Sequence, residues 1–334
     1  MTKNKGLYII KYNLMYIVYN DKTIHNDFGL IYVEAYDIGG IMERISINAM
    51  AKINLGLDVL RRRENGYHDV KMIMQTVNIY DTLEFIKLQE PKITVKTDSM
   101  ELPTDENNLI YKAAKLLFEK CGVNQGVEIT LTKRIPIAAG MAGGSTDAAA
   151  ALVGVNQLFD LGLTIDELKE IGVKIGADVP YCIEGGTALS EGIGEILTKL
   201  PDVPDCFVVV AKPEISVSTK YVYENLHANE LKYHPDIDGM VAAIREGNLD
   251  GVCKRMENVL ETVTETKYPI ISEIKTMLKD AGAENSLMSG SGPTVFAIFK
   301  EEETANTALE IVKNSGLAKQ SFVTVFAKKT QVQV

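Results

Sequence analysis

Residues 136–150, PIAAGMAGGSTDAAA, decide how this chain is interpreted. The stretch follows a strand-like run, GVEITLTKRI, and leads into an alanine-rich segment that is predicted to be a helix. Gly140, Gly143 and Gly144 build the turn between them. Glycine lets the backbone approach a ligand closely and adopt positive φ, and the free amides at a helix N-terminus attract anions. The stretch therefore predicts a phosphate-binding loop; the alternative is an ordinary turn whose helix is capped by Ser145.

The predicted loop has no lysine of its own. The pattern is not G-x-x-x-x-G-K-[ST], and the glycine spacing does not fit a dinucleotide fingerprint. A phosphate site of this kind needs a cation from elsewhere, and Lys52 in AKINLGL is the leading candidate. It lies in an otherwise apolar predicted strand with Asn54 on the same face. The alternative for Lys52 is an exposed position on an edge strand.

Asp178, in IGADVPY, is the second candidate for chemistry. Phosphoryl transfer to a hydroxyl needs a carboxylate to accept the proton and a cation to steady the charge. Lys52 and Asp178 are predicted to supply that pair, although Asp178 on its own also fits a helix N-cap. Asp147, inside the helix after the loop, is interpreted as helix-start charge that complements the dipole.

Two hydroxyls and a second glycine-rich turn complete the predicted phosphate site. Ser145 and Thr146 offer their hydroxyls to phosphate or to magnesium. Ser289, Gly290, Ser291 and Gly292 lie between two predicted strands, SLM and TVFAIF. Their similarity to the first loop predicts a second wall for the phosphates, and a plain hairpin turn is the alternative.

Composition limits the class of protein. The 334 residues suggest about two domains, and 46% hydrophobic with 24% charged residues is typical of a globular protein. A net charge of −10 argues against a nucleic-acid or anionic-membrane binder. Cys121, Cys182, Cys206 and Cys253 form no CxxC pair, which favours reduced, partly buried thiols of a cytoplasmic protein. No apolar run reaches about 18 residues, so no transmembrane helix is predicted.

The chain divides into three predicted segments. Residues 1–41 lack the features of a signal peptide, and Met42 opens a clean strand pattern. We expect 1–41 to be an extension upstream of the natural start; a genuine extra hairpin is the alternative. Pro201–Pro204 is the expected boundary between domains 42–203 and 204–334. In the second domain a strand, two or three helices, two strands, a helix and a strand favour an α+β sandwich of ferredoxin type.

Four blocks of this sequence together resemble the GHMP kinases. PIAAGMAGGSTDAAA is similar to the second motif of that family and LMSGSGPTVFA to its third. AKINLGLDVLRRRENGYHDV and IGADVPYCIEGGTALSEGIGE also match, and the resemblance runs from Met42 to the C-terminal strand in the expected order. It implies an α+β fold of two domains. The first is an ATP-binding domain like domain 2 of ribosomal protein S5, and the second is a ferredoxin-like α/β sandwich.

The resemblance also implies cofactors and site residues. ATP with Mg²⁺ is the implied phosphoryl donor, and Lys52 and Asp178 are the implied catalytic pair, with Asp178 as the base. The implied ATP-binding residues are Pro136, Ile137, Ala138, Ala139, Gly140, Met141, Ala142, Gly143, Gly144, Ser145, Thr146, Ser289, Gly290, Ser291 and Gly292. The implied substrate-binding residues are Asn54, Tyr67, His68, Thr219 and Tyr223. No side chain is assigned to magnesium, although Ser145 is a candidate through ATP.

Two of these blocks, AKINLGLDVLRRRENGYHDV and IGADVPYCIEGGTALSEGIGE, point to one acceptor within the family. They resemble members that phosphorylate the 2-hydroxyl of a cytidine-diphosphate-linked polyol, 4-diphosphocytidyl-2-C-methyl-D-erythritol. Tyr67 and His68 are then expected to contact the cytidine by stacking and a ring-nitrogen hydrogen bond, while His25, His227 and His234 are expected to be exposed. The alternatives are a homoserine or mevalonate kinase, a diphosphomevalonate decarboxylase, or a non-catalytic sensor. The expected state is a monomer or homodimer without nucleic-acid or membrane partners.

Overall fold

The computed structural model describes residues 15–19, 22–26, 32–37 and 42–327, with side chains from residue 44 onward. The prediction about residues 1–41 therefore falls largely outside the described residues. Within that segment β1 (Met15–Tyr19) pairs antiparallel with β2 (Lys22–Asn26). The next strand, β3 (Tyr32–Asp37), pairs antiparallel with the strand that begins at Met42.

A long hairpin organises the first half of the chain. β4 (Met42–Arg62) and β5 (His68–Leu88) are antiparallel and are joined by a turn in which Gly66 has φ +87°. Their β-branched and apolar residues favour strands. The sheet order is β3-β4-β5-β7-β6, and β8 pairs with both β5 and β9. The remaining strands are β6 (Ile93–Thr97), β7 (Gly126–Thr132), β8 (Thr187–Gly192) and β9 (Ile196–Lys199).

Helices cover one face of this sheet. They are α1 (Leu109–Cys121), α2 (Gly143–Leu158), α3 (Ile165–Val173) and α4 (Val179–Glu184). Helix α2 is almost wholly buried, and its small residues let it lie directly on the sheet. A Cβ at Gly154 would come within 2.5 Å of Cζ of Phe85. The sequence predicts a helix that starts at Asn107 or Asn108 and stops at Gly122, and a capping box of Thr164 with Glu167. The structure confirms both, with Asn108 as the cap of α1 and the capping box at the start of α3.

A four-stranded antiparallel sheet, ordered β11-β12-β10-β13, forms the second half. Its strands are β10 (Phe207–Lys212), β11 (Asn285–Met288), β12 (Val295–Phe299) and β13 (Gln320–Val325). The helices are α5 (Thr219–Asn225), α6 (Ile237–Arg245), α7 (Leu249–Cys253), α8 (Glu261–Lys267), α9 (Ile270–Asp280) and α10 (Glu302–Ser315). The sequence predicts a helix in STKYVYENL, where α5 lies, and two or three further helices within residues 239–261 and 268–282, where α6, α7 and α9 lie. Helix α8, between those two ranges, was not predicted, and Pro269 separates it from α9.

The two sheets meet at β5. Strand β7 pairs with residues 82–88 of β5 and β8 pairs with residues 70–75, which leaves a gap between them. Phe326 fills this gap by bridging to Val77, and the Ala327 amide donates to the Thr76 carbonyl at 2.9 Å. The end of the second sheet is therefore hydrogen-bonded into the first.

Within the described residues, two features concern the cysteines and the length of the helices. All four cysteines are free thiols, with Cys206 and Cys253 buried. Across the described ranges, every helix is too short or too polar to cross a membrane.

Candidate active site

Lys52 lies at an irregular point of β4. The register with β5 shifts between Met50 and Lys52, so that Lys52 is placed opposite Thr76. Lys52 is 5% exposed, so the alternative of an exposed edge position is wrong. Its Nζ donates to Oδ1 of Asn54 at 2.7 Å and lies 3.7 Å from Oδ2 of Asp178. The predicted shared face of Lys52 and Asn54 is confirmed, and a buried ammonium is directed at one carboxylate.

Asp178 immediately precedes α4. It occupies the N-cap position, yet its side chain makes no capping hydrogen bond, so the capping alternative is wrong. The carboxylate is about one-third exposed and can meet a ligand on its open side. Tyr181 holds α4 in place because its hydroxyl donates to the Gly186 carbonyl at 2.6 Å and lies 3.0 Å from the Thr76 hydroxyl.

The glycine-rich loop is fastened to β4 beside Lys52. The Lys52 amide donates to the Met141 carbonyl at 3.2 Å, and Met141 is buried. Ala138, Gly140 and Ala142 all have positive φ, of 50°, 72° and 57°. The helix begins at Gly143 with Ala142 as its N-cap. Ser145 is therefore not the cap, and the free amides of the first turn face the loop.

The two hydroxyls of the first turn have different surroundings. Thr146 is buried, and its Oγ1 donates to the Met50 carbonyl at 2.8 Å. The hydroxyl proton of Thr146 is therefore used in a hydrogen bond within the protein. Ser145 is partly exposed and lies near Gly176, where an added Cβ would be 3.9 Å from its Oγ. Of the two, Ser145 has the hydroxyl that is open to a ligand.

The second glycine-rich turn packs directly against the first. Ser289 Oγ donates to the Gly140 carbonyl at 2.8 Å. A Cβ at Gly140 would lie 2.2 Å from the Ser289 carbonyl oxygen, so only glycine fits there. Gly290 has φ +57°, and its Cβ position is 3.5 Å from Oδ1 of Asn54. The predicted neighbourhood of the two turns is therefore present in the fold.

A buried charge cluster behind the loop was missed from the sequence. Lys133 Nζ pairs with Oδ2 of Asp81 at 2.5 Å and with Oδ2 of Asp147 at 2.9 Å, and all three side chains are at most 8% exposed. Oδ1 of Asp81 also accepts from the amides of Arg134 and Ile135. The interpretation of Asp147 as helix-start charge was wrong, because its carboxylate points to this cluster.

The cluster contains two carboxylates and one ammonium. Burial raises the pKa of Asp147 well above its ordinary value, and Oδ1 of Asp147 has no hydrogen-bond partner. The same carboxylates outweigh burial and raise the pKa of Lys133. One signal for the cluster was present in the sequence: Asp81 is in phase with the core-facing Leu83 and Phe85 of β5.

The predicted substrate residues lie toward the turn of the β4–β5 hairpin and on α5. His68 is 8% exposed, and its ring centroid is 5.1 Å from that of Tyr223. His68 Nε2 is buried without a hydrogen-bond partner. Burial, followed by the charge of Arg62, lowers the pKa of His68, so the imidazole is neutral near pH 7. Tyr67 is 58% exposed.

The other predicted pocket residue and the remaining histidines are placed as follows. Thr219 begins α5, and its Oγ1 lies 2.9 Å from Oγ of Ser291 in the second glycine-rich turn. His227 and His234 are exposed, as expected, whereas the side chain of His25 lies outside the described residues.

Among the side chains that the structure describes, no group of three His, Cys, Asp or Glu residues could hold a metal ion.

Two family models and several individual proteins are similar to this chain in sequence. The family model described as GHMP kinases N terminal domain matches residues 108–186, and the model described as GHMP kinases C terminal matches residues 240–318. A 4-diphosphocytidyl-2-C-methyl-D-erythritol kinase of Lachnospira eligens is 53% identical over 283 residues, covering 85% of this chain and 98% of the relative. A Clostridium perfringens protein of the same name is 50% identical over 269 residues, covering 80% and 93%.

Solved structures share the fold. A crystal structure of 4-(cytidine 5'-diphospho)-2C-methyl-D-erythritol kinase has a TM-score of 0.72 at 29% identity, covering 84% of this chain and 98% of the other. A homoserine kinase from Cytophaga hutchinsonii has a TM-score of 0.71 at 22% identity, covering 88% and 97%, and supports the fold alone. These similarities define a small-molecule kinase of two α+β domains. The chain belongs to the GHMP kinase family.

Proposed function

We propose that this chain transfers the γ-phosphoryl group of ATP to the 2-hydroxyl of 4-diphosphocytidyl-2-C-methyl-D-erythritol. The products are the 2-phosphate and ADP, and the reaction is a step of the non-mevalonate route to isopentenyl diphosphate. Relatives at about half identity over most of the chain carry the name of this kinase. The oxygen of the 2-hydroxyl forms the new bond to phosphorus, the bond to the β-phosphate oxygen breaks, and the hydroxyl proton goes to a base.

Asp178 is the proposed base and Lys52 its cation. Asp178 has an open side for the acceptor hydroxyl, and the Lys52 ammonium lies 3.7 Å from its Oδ2. The same ammonium lies where negative charge develops as the phosphoryl group moves. Asn54 orients that ammonium because its Oδ1 accepts a hydrogen bond from Lys52 Nζ at 2.7 Å. Such a site acts mainly by positioning and charge stabilisation.

The two glycine-rich turns are the proposed walls of the ATP site. Residues 136–146 and 289–292 lie against each other through Ser289 and Gly140, next to the N-terminus of α2. Backbone amides at that end and the helix dipole favour phosphate oxygens. Magnesium bound with ATP supplies charge neutralisation. The open hydroxyl of Ser145 is the side chain in the first turn that fits such an ion, whereas Thr146 donates to Met50.

One observation carries the choice of acceptor: the buried, unpartnered Nε2 of His68 beside Tyr223. An unpaired buried nitrogen is costly unless a ligand uses it. A neutral imidazole accepts a hydrogen bond at one nitrogen, and the exocyclic amine of cytosine is a donor. Tyr223 and the exposed ring of Tyr67 offer aromatic surface for the base. Homoserine and mevalonate have no nucleobase that would use these groups.

The proposal also covers the domain bounds, the cellular location and the oligomeric state. We propose domains at 42–203 and 204–334, an extension at 1–41, a cytoplasmic location and a monomeric or homodimeric state. The acidic balance of the chain supports small-molecule rather than nucleic-acid partners.

The test is a measurement of ADP release with separate acceptors. The protein is incubated with ATP and Mg²⁺, and in separate reactions with the cytidine-diphosphate polyol, mevalonate, homoserine or diphosphomevalonate. ADP in the first reaction, with the 2-phosphate as product, is the expected result. ADP only with mevalonate or homoserine overturns the choice of acceptor. Phosphate release together with carbon dioxide from diphosphomevalonate identifies a decarboxylase, and nucleotide binding without turnover of any acceptor identifies a sensor.

A further inference from the structure

The side chain of Asn258 and the backbone around it are hydrogen-bonded to separate parts of the fold. Asn258 lies just before α8 and is 5% exposed. Its Nδ2 donates to two carbonyls, those of Met288 and Gly290, each at 2.8 Å. Met288 is the last residue of β11 and Gly290 lies in the second glycine-rich turn, and the two are treated together as the turn 288–292. Its Oδ1 accepts from the Leu260 amide at 3.0 Å. Every hydrogen-bonding group of this amide is therefore used, and both donors are committed to the turn.

The backbone around Asn258 is paired with β4. Asn258 bridges to Leu57 in parallel, since the Leu57 amide donates to the Glu257 carbonyl at 2.9 Å. The Val259 amide donates back to the Leu57 carbonyl at 3.1 Å. Leu57 lies in the strand that carries Lys52 and Asn54. Asn258 thus connects the catalytic strand to the turn 288–292.

Neighbouring residues of the same segment also hold this turn. Oε1 of Glu261 accepts from the Met288 amide at 2.8 Å, and Lys275 pairs with Glu261 at 2.6 Å. Thr264 Oγ1 lies 3.3 Å from the Ser291 carbonyl as a weaker donor contact. The turn in turn contacts the first loop, where Ser289 bonds to Gly140. A continuous set of hydrogen bonds therefore runs from β4 through Asn258 to both glycine-rich loops.

We propose that Asn258 is a positioning residue of the ATP site, which fixes the turn 288–292 against residues 136–146 in register with Lys52. This inference rests on the proposed function only in taking those two loops as the nucleotide site. Asn258 touches no reacting atom. Its effect is expected on nucleotide affinity, because it sets the spacing of the two walls. The chemical step at saturating nucleotide is expected to change little, since Lys52 and Asp178 are held by other contacts.

The test compares Asn258→Asp with Asn285→Asp. Both substitutions are isosteric and remove the amide donors. Asn285 lies at the other end of β11, where Nδ2 donates to the Cys253 carbonyl at 2.7 Å and Oδ1 accepts from the Ser286 amide at 2.8 Å. In Asn258→Asp a carboxylate oxygen faces two carbonyl oxygens, which repel it. The dissociation constant for a non-hydrolysable ATP analogue with Mg²⁺ is measured by calorimetry, together with the thermal midpoint and the KM and kcat for ATP.

Asn258→Asp is expected to raise the dissociation constant and the KM for ATP about tenfold, which corresponds to about 1.4 kcal/mol, with kcat within about threefold. Asn285→Asp is expected to leave nucleotide affinity within about twofold. An unchanged affinity in Asn258→Asp, or an equal loss in both variants, overturns the proposal. If Asn258→Asp does not fold, Asn258→Ala decides, because it removes both amide donors without adding a charge: a loss of nucleotide affinity supports the positioning role, and no loss refutes it.

The two proposals fail in different ways. Nucleotide binding by the unaltered protein without phosphorylation of the cytidine-diphosphate polyol refutes the proposed acceptor and leaves the role of Asn258 intact. Phosphorylation by the unaltered protein with normal nucleotide affinity in Asn258→Asp refutes the role of Asn258 alone.

Discussion

Lys52 Nζ lies 2.7 Å from Oδ1 of Asn54 but 3.7 Å from Oδ2 of Asp178. The ammonium is thus hydrogen-bonded to the neutral partner and held at a longer distance from the charged one. A carboxylate in this position keeps lone pairs free for a substrate hydroxyl and still interacts electrostatically with the ammonium. The arrangement suits a base that must accept one proton in each turnover.

Asp178→Asn is expected to lower kcat by about 10³-fold, because an amide cannot accept the proton of the acceptor hydroxyl. ATP affinity should remain within about threefold, since Asp178 lies outside the two glycine-rich turns. Turnover and nucleotide binding are measured separately, by ADP release and by calorimetry. Asp166→Asn, at an exposed position in the first turn of α3, is the matched control and should keep full activity. Full activity in Asp178→Asn would remove Asp178 as the base.

Acid is expected to weaken binding of the cytidine-diphosphate acceptor. The lowered pKa of His68 keeps the imidazole neutral at pH 7, and protonation occurs only as the pH falls below the ordinary value of 6.5. The imidazolium has no acceptor nitrogen, so the KM for the acceptor should rise as the pH falls through that lowered pKa, while the KM for ATP stays constant. His68→Gln keeps an acceptor oxygen but has no titrating group, so it should change the acceptor KM by less than about tenfold and remove its acid dependence.

His234→Gln provides the control for this pH experiment. His234 is exposed and bonded to Asp58 at 2.9 Å, away from the paired rings of His68 and Tyr223. Its substitution should leave the acid dependence of the acceptor KM unchanged. Retention of the acid dependence in His68→Gln would exclude His68 as its origin.

Gly140→Ala is expected to harm both stability and nucleotide affinity. An alanine there is strained by φ +72° and also has its Cβ 2.2 Å from the Ser289 carbonyl oxygen. Gly122→Ala separates the two effects, because Gly122 has φ +67° with open space around its Cβ position. Gly122→Ala should cost about 1 kcal/mol of unfolding free energy and leave ATP binding intact. Gly140→Ala should cost more and weaken ATP binding at least tenfold; equal behaviour of the two variants contradicts the close contact.

The two carboxylates beside Lys133 should differ in their effect on stability. Asp81→Ala removes one of the two carboxylates that pair with Lys133 and leaves the amides of Arg134 and Ile135 without their acceptor, which should cost about 3 kcal/mol. Asp147→Asn keeps an acceptor for Lys133 and is expected to change the unfolding free energy by less than about 1 kcal/mol at pH 5. Urea unfolding of both variants and the unaltered protein checks these values.

The pH dependence of Asp147→Asn has a definite sign. The folded-state pKa of Asp147 is raised above the ordinary value of 3.8, so the fold disfavours the ionised form. The unaltered protein should therefore lose stability as the pH rises from about 4 through the raised pKa. Asparagine carries no such penalty, and the variant should gain relative to the unaltered protein between pH 5 and pH 8. If the unfolding free energy of the variant does not rise relative to that of the unaltered protein over this range, the raised pKa is contradicted.

Local patterns predicted the site only where its contacts are local. The strand–loop–helix around Gly140 follows from glycine positions and an alanine-rich run, and Lys52 and Asn54 share a face because a strand alternates. The capping box at Thr164 is likewise confined to one turn. Such features depend on residues close in sequence, which is why the sequence was sufficient to predict them.

Contacts between distant segments were not predictable in the same way. Asp81 meets Lys133 only because β5 and β7 are paired, and Thr146 is committed to the Met50 carbonyl only because α2 lies on β4. Asn258 reaches its two carbonyls through the pairing of its backbone with Leu57. The fold of the whole chain is needed before any of these partners can be named.

The bridge from Phe326 to Val77 also affects the order in which the protein can be assembled during synthesis. The unpaired stretch on β5, between β7 and β8, is closed by residues that leave the ribosome later than both of those strands. Pairings between such remote segments form late, because loop closure must come first. The strand that carries Thr76, opposite Lys52, therefore keeps unpaired edge groups throughout translation. A nascent chain stalled before Phe326 is expected to expose that edge.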